Sequence, residues 1–254
     1  MSVETSDDTL PKVLAVIPAR GGSKRLPRKN VMLLKGHPLI AYTIKAAQDA
    51  TRLTDWLVST DDEEIAGVAR RYGAPVPFMR PATISGDTDR NNAVVRHAMA
   101  CMEERTGRRY DLLVLLQPTC PIRSAAHIDE AVERLWASPL ETLASVRGPV
   151  KKRDPNIKAI RDGDLVPYNE QESAAAWDAG YIYNASIYAM KRDFFLRENT
   201  FVSQRSVPLV MDRFHSADID EKIDALVAEL YFDHLGHDPF GDSAGAARAA
   251  AQSR

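Results

Sequence analysis

The chain has 254 residues, 44 % hydrophobic and 27 % charged; this is a globular composition that excludes disordered, collagen-like and fibrous classes, and at about 100–200 residues per domain it accommodates one large domain or a domain with an appendage. Its 33 Lys and Arg against 35 Asp and Glu leave a formal charge of −2, so the chain as a whole has no electrostatic reason to coat nucleic acid. Cys101 and Cys120 are too few for a disulfide scaffold or a four-thiolate zinc site, no apolar run approaches the ~20 residues of a membrane span, and the polar, acidic start is unlike a signal peptide; a cytoplasmic protein away from membranes is expected.

In chain order, residues 1–11 read as a flexible N-terminus. Apolar, partly β-branched runs at 13–17, 56–59, 76–79, 112–116 and 143–146 read as strands separated by helix-length stretches. This alternation predicts βαβ units and an α/β fold with a mostly parallel sheet. Ile128, Ala131, Val132 and Leu135 fall on one face of a helix, and Ile219, Ile223, Leu226, Val227 and Leu230 predict a second helix over 219–232 that packs through this stripe. A polar stretch at about 148–180 breaks the alternation, and Arg161-Asp162-Gly163-Asp164-Leu165 within it has hairpin-turn chemistry. It is read as an insertion in a domain spanning 12–235. Residues 236–254 end in a run of Ala, Gly, Ser and Arg with few large apolar side chains, and a disordered tail is expected there.

Ligands of open parallel α/β sheets bind beyond the carboxyl ends of the strands, so the loops after each apolar run are the places to search. The first of these is Pro18-Ala19-Arg20-Gly21-Gly22-Ser23-Lys24-Arg25-Leu26-Pro27-Arg28-Lys29-Asn30. Between Thr9 and Gln48 the chain carries eight Lys or Arg and no acid. Gly21 and Gly22 allow backbone N–H groups close to an anion, Ser23 adds a hydroxyl, and Arg20, Lys24 and Lys29 spread positive charge over several oxygens. That chemistry suits a polyphosphate. The spacing is neither Walker A nor the Rossmann glycine fingerprint, which removes the usual ATPase and dehydrogenase readings.

Phosphates gathered this way usually come with a hard cation on carboxylate oxygens. Asp218-Ile219-Asp220 precedes the predicted C-terminal helix and can offer two carboxylates from one extended segment. Helix capping by Asp218 is the competing use. After the run at 112–116, Gln117 offers a donor and an acceptor on a turn stiffened by Pro118 and Pro121. Arg80, after the run at 76–79, can reach a base or a phosphate or stand as an exposed charge.

Taken together, Ala19-Arg20-Gly-Gly-Ser23-Lys24-x-x-Pro-x-Lys29-Asn30, Val58-Ser59-Thr60-Asp61, Arg80-Pro81, Asp87-Thr88, Leu116-Gln117-Pro118-Thr119-x-Pro121-x-Arg123, Asn184-x-x-Ile187-Tyr188 and Asp218-x-Asp220 resemble the acylneuraminate cytidylyltransferases, the CMP-sialic acid synthetase family, in order from about Lys12 to Phe232. The resemblance implies a Rossmann-like nucleotidyltransferase fold and transfer of CMP from CTP to a small anionic acceptor of the nonulosonic, α-keto acid sugar type. Mg²⁺ would be required, pyrophosphate would be released, and the protein would be a possible homodimer. It further implies that Ala19, Arg20, Gly21, Ser23, Lys24 and Lys29 form the triphosphate cradle, with Arg20, Lys24 and Lys29 as the catalytic cations. Asn30 and Arg80 would contact the nucleoside, Asp218 and Asp220 would ligate the metal, and Gln117, Gln171 and Asn184 would serve the acceptor.

Two departures stand out. Where the family continues Ala-Ser-Ser after Asp87-Thr88, this chain has Asp89-Arg90-Asn91-Asn92, and the Asn91 amide can still read a base. The family's arginine pair before Gln171 is absent from Tyr168-Asn169-Glu170-Gln171; Lys151, Lys152 and Arg153, or Lys158, can replace the charge. A smaller acid such as a phosphonate is therefore an alternative acceptor. A nucleotide-binding module without turnover is an alternative of a different class, and a metal-dependent glycosyltransferase a third. The expected mechanism is in-line attack of an acceptor oxygen on the α-phosphorus, driven by positioning and charge stabilisation.

Overall fold

The computed structural model describes residues 10–23, 25–86, 91–150, 158–167 and 180–241. From the N-terminus the chain runs through β1 (Val13–Pro18), a small antiparallel ribbon of β2 (Leu33–Leu34) and β3 (His37–Pro38), α1 (Leu39–Asp49), β4 (Asp55–Ser59), α2 (Glu63–Arg71), α3 (Asn91–Thr106), β5 (Leu112–Leu116) and α4 (Ala125–Trp136). It continues through β6 (Thr142–Val150), β7 (Lys158–Arg161), β8 (Asp164–Pro167), β9 (Gly180–Lys191), α5 (Arg192–Glu198), β10 (Val207–Met211) and α6 (Lys222–Leu235). The central sheet has the order β10-β6-β9-β5-β1-β4. β4, β1 and β5 are mutually parallel, as are β10 and β6, while β9 runs antiparallel to both β5 and β6.

The strand runs are apolar throughout because both faces of the sheet are covered. Along β1, Val13, Ala15 and Ile17 enter one core with α1, α2 and α4, while Leu14 and Val16 enter another with α3 and α5. The helices start where their sequences provide caps. Asp62 accepts the Ile65 N–H at the start of α2, which has Glu63 and Glu64 in its first turn and Arg70 and Arg71 in its last, charges that suit the helix dipole. Ser124 and His127 form a reciprocal capping box on α4, and Ile128, Ala131, Val132 and Leu135 are its buried face, as the periodicity predicts.

Five segments depart from expectation. Residues 76–79 form no strand: Pro75 and Pro77 lack the N–H groups of a ladder, and the segment only touches the edge, through Val58 N–H to Pro75 O at 2.9 Å and Arg80 N–H to Thr60 O at 2.7 Å. β9 and β10 lie outside the expected strand set, and β9 is the sheet's longest member and its antiparallel intruder. The C-terminal helix begins at Lys222, and the predicted stripe faces outward, with Ile223, Leu226 and Leu230 58 %, 58 % and 66 % exposed. The buried side is instead Ala228 and Phe232, which with the preceding Ile219 meet Leu26, Leu34, Leu39, Tyr42 and Ile122; the period holds but the face is the other one. Finally, the described chain continues beyond α6, and Phe240 stacks on His37 at 3.9 Å between ring centroids, so packing extends past the expected tail boundary at 236. Within the predicted insertion, β7 and β8 form the expected hairpin, its Asp162 and Gly163 at φ 52° and 86°, the left-handed pair that a two-residue turn requires. Among the described residues no helix is long and apolar enough to cross a membrane.

Candidate active site

The carboxyl ends of β1 and β5 open onto a cleft of about 600 Å³. Arg20, Ser23, Lys29, Asn30, Arg80, Asn91 and Gln117, all singled out from the sequence, line it together. Sequence reasoning missed Ser85, whose hydroxyl receives the Arg80 Nε at 3.0 Å, and Arg25, Asn92, Thr119 and Phe201, which share the lining. Ser85 borders the motif Asp87-Thr88, which was a usable signal; Phe201 has none, since it follows α5, far along the chain from the cleft's other residues.

The first loop is held by acids from distant parts of the chain. Lys29 Nζ lies 2.8 Å from Asp220 Oδ1 and 2.8 Å from the Ile219 carbonyl, and Arg25 donates to Asp220 Oδ2 at 2.8 Å. Arg28 is bound to Asp62 at 2.6 Å and to Glu64, which turns it away from phosphate work. Buried Arg80 bonds Asp61 at 2.9 Å. A stretch with no local acid therefore meets its counter-charges through the fold. Arg20 reaches the Gly86 carbonyl at 3.3 Å, and the Asn30 amide donates to the Arg20 carbonyl at 3.1 Å.

Three expected contacts have other duties. Ala19 is fully buried and gives its N–H to Ser59 O at 3.0 Å, so it shapes the loop from within the core. The Gly21 N–H is directed at Asp61 Oδ1 at 3.3 Å. A Cβ at Gly21 would lie 2.6 Å from Asp62 Oδ2; because Asp62 is fixed by its cap and its arginine, only glycine fits so close. Asn184, expected at the acceptor, is 4 % exposed, and its amide is occupied by Ser145 Oγ at 2.6 Å, the Ser186 N–H at 3.2 Å, Ser216 Oγ at 3.0 Å and the Met211 sulfur at 3.3 Å. Lys24, Lys151, Lys152 and Gln171 lie outside the described residues.

The carboxylate pair sits at the cleft wall, joined to it by Lys29 and by the Ile219 N–H on Thr119 O at 2.8 Å. With Ile219 buried, Asp218 and Asp220 project to the other side of the segment. Their environments differ. Burial pushes the Asp218 carboxyl up, opposed by a Thr119 hydrogen bond and reinforced by the nearby Asp220 and Asp224; the Lys29 hydrogen bond holds Asp220 below the usual carboxylate range, against a smaller desolvation effect. Asp224, not Asp218, completes the helix cap, receiving the N–H groups of Asp220 and Glu221 at 2.9 and 2.7 Å. Among the described residues no group of three or more His, Cys, Asp or Glu could hold a metal by itself. Two carboxylates on one short segment, Asp218 raised and Asp220 lowered from the usual carboxylate value, are nonetheless a hard-oxygen donor set of the kind a magnesium ion shares with phosphates and water.

A mostly parallel, helix-flanked sheet with a cationic cleft at its strand ends defines a nucleotide-binding α/β protein. The chain belongs to the cytidylyltransferase family, whose model matches residues 14–230, and is with it a CTP-using nucleotidyltransferase. It is 36 % identical over 224 residues to the CMP-N,N'-diacetyllegionaminic acid synthase of Legionella pneumophila, covering 86 % of this chain and 95 % of that one. It is 30 % identical over 230 residues to the pseudaminic acid cytidylyltransferase of Campylobacter jejuni, covering 87 % and 96 %. Among solved structures, a CMP:2-keto-3-deoxy-manno-octonic acid synthetase complexed with CTP superposes with a TM-score of 0.64 over 86 % of this chain and 99 % of that one, at 18 % identity, which establishes the likeness of fold.

Proposed function

We propose that the protein transfers CMP from CTP to a nonulosonic acid of the sialic, legionaminic or pseudaminic type, releasing pyrophosphate. The observation that carries the proposal is the pairing of Lys29 and Arg25 with Asp220 at the wall of a cleft that also holds Arg20, Asn30 and Arg80. Cations and carboxylates that neutralise each other in the free protein can exchange partners when a nucleotide arrives: Lys29 and Arg25 would pass to phosphate oxygens, leaving Asp220 free to hold a divalent ion together with Asp218. Arg20, Ser23, Lys29 and the adjacent Lys24 would grip the triphosphate, Asn30, Arg80 and Asn91 the nucleoside, and Gln117 the acceptor. Mg²⁺ on Asp218 and Asp220 would supply charge neutralisation at the phosphates. The acceptor hydroxyl forms the new P–O bond at the α-phosphorus, the bond to the β-phosphate's bridging oxygen breaks, and the proton leaves to solvent.

The acceptor side is supported by a row of rings. Phe201 of the cleft lies 6.2 Å from Tyr188, which lies 6.2 Å from Tyr183, and Lys158 Nζ stands 5.5 Å from the Tyr183 ring centroid. An amphipathic acid laid along this row would end against a cation, a part for which Lys151 and Lys152 are also candidates. The two relatives act, by their names, on sugar acids, which favours a sugar acid over a phosphonate and an enzyme over a silent binding module. The outward stripe of Ile223, Leu226 and Leu230 supports self-association as a homodimer, and consumption of CTP fits work in the cytoplasm. Pyrophosphate release from CTP, measured with N-acetylneuraminate, legionaminate, pseudaminate and phosphonoformate in the presence of Mg²⁺, tests the assignment. Release with one of the three sugars is the expected result; release with phosphonoformate alone, or CTP binding without release on any acid, overturns it.

A further inference from the structure

Among the described residues, Arg123 is the one buried cation that the roles above leave unused. It is 2 % exposed and bonded to no carboxylate among the described residues. Its Nη1 donates to the Ser186 carbonyl at 2.6 Å and lies 3.4 Å from Ser186 Oγ; its Nη2 donates to Thr43 Oγ1 at 2.7 Å; and both nitrogens face the Gln117 carbonyl, at 3.3 and 3.4 Å. Nε is buried without a partner. Burial lowers the group to about 10, so it stays charged at neutral pH. A guanidinium held in the interior by neutral oxygens alone is an expensive way to fill space, and what it obtains here is reach. Its planar fork spans three elements at once: α1 through Thr43, the loop after β5 through Gln117, and β9 through Ser186. A lysine, with a single point of charge, cannot span them.

The junction matters because of what lies on its two sides. Gln117 lines the cleft, and its side chain has no partner among the described residues. Ser186 follows Ala185, whose φ of 59° marks the irregularity where β9 leaves its register with β6, on the strand that carries Tyr183 and Tyr188. We propose that Arg123 is a positioning residue for the acceptor: from behind the cleft it ties the Gln117 loop to β9, and so fixes the direction in which the Gln117 amide meets the substrate relative to the aromatic row. The proposal rests on the cytidylyltransferase reading with a sugar acid acceptor.

The test compares Arg123→Lys, which keeps the charge and removes the fork, with Thr43→Val and Ser186→Ala, which keep the arginine and remove single partners. Three quantities are read for each: CTP affinity by calorimetry, acceptor kcat and KM by pyrophosphate release, and amide hydrogen exchange across residues 115–122 beside the melting temperature. Displacement of a substrate-orienting group by about 1 Å can lower turnover ~10²-fold, and a loss of that order in acceptor kcat/KM is expected for Arg123→Lys. Smaller losses in the same direction are expected for the other two, with CTP affinity unchanged and exchange quickened in the Gln117 loop more than elsewhere. Unaltered acceptor kinetics, parallel losses of CTP affinity and acceptor kinetics, or unaltered exchange at 115–122 would each overturn the inference. If Arg123→Lys does not fold, Thr43→Val decides on the same criteria. Wild-type protein that turns over no sugar acid would defeat the functional reading instead, and the exchange measurement, which needs no substrate, would still decide whether Arg123 holds the loop.

Discussion

The two walls of the cleft are built from different materials. On the phosphate side the cations are paired with acids, several of the pairs partly open to solvent: Lys29 and Arg25 with Asp220, Arg28 with Asp62, Arg80 with Asp61. On the acceptor side the foundation is a buried mesh of Asn184, Ser145, Ser186 and Ser216 beside Arg123, joined almost wholly by uncharged hydrogen bonds. Exposed ion pairs contribute little to stability and are readily exchanged, whereas a buried donor deprived of its partner costs the full price of desolvation. On the proposed reading, the first wall trades partners with a ligand and the second holds a shape.

The contrast can be broken in order of expected effect. Asp218→Asn combined with Asp220→Asn should remove stimulation by magnesium and lower turnover by about 10³-fold or more, several kcal/mol of charge stabilisation; a double variant whose rate still responds to a chelator would take the pair out of the reaction. Lys29→Ala should lower turnover by ~10²–10³-fold, the usual effect of deleting one stabilising donor, with a melting temperature close to wild type. Near-normal pyrophosphate release would show that the phosphate wall does not act through this charge. Asn184→Ala should do the reverse, costing about 1–3 kcal/mol in urea unfolding through the stranded Ser145 and Ser216 partners, while calorimetry shows CTP affinity preserved.

The smallest effect concerns Asp218 alone. Its carboxyl is raised in the folded protein, chiefly by burial, so folding is favoured below that raised value and loses stability as pH climbs through it and the group ionises. In a metal-free buffer at neutral pH, Asp218→Asn should therefore raise the melting temperature slightly, as read by thermal unfolding. A lower melting temperature at pH 7 would mean that the ionised carboxylate is held by bonds worth more than its burial penalty.

The phosphate wall was legible in the sequence because its signal is local: a basic, glycine-containing loop directly after an apolar run both of whose faces are covered. Its counter-charges were not, since Asp220 lies 191 positions from Lys29 and 195 from Arg25. The acceptor wall was harder to read. β9 follows a polar stretch, pairs antiparallel and carries an irregularity opposite Ser145, so no local period announces it. Asn184 was identifiable as part of a motif, but a motif does not say whether its amide faces a ligand or the neighbouring strands. The stripe on α6 had the correct 3.6-residue period, yet two faces of that helix are apolar, and periodicity alone does not choose between Ile223 with Leu230 and Ala228 with Phe232. Residues 76–79 were apolar enough for a strand, and only the prolines at 75 and 77 argued otherwise.

The stacking of Phe240 on His37 has a practical side. The ring also stands 5.2 Å from Tyr42 and 5.8 Å from Tyr72, so the last described residues plug an aromatic socket at the start of α1, whose far side borders the cores beneath the basic loop. Anyone shortening the gene at Leu235, where the helix stops, would remove the ring that touches His37, Tyr42 and Tyr72 there.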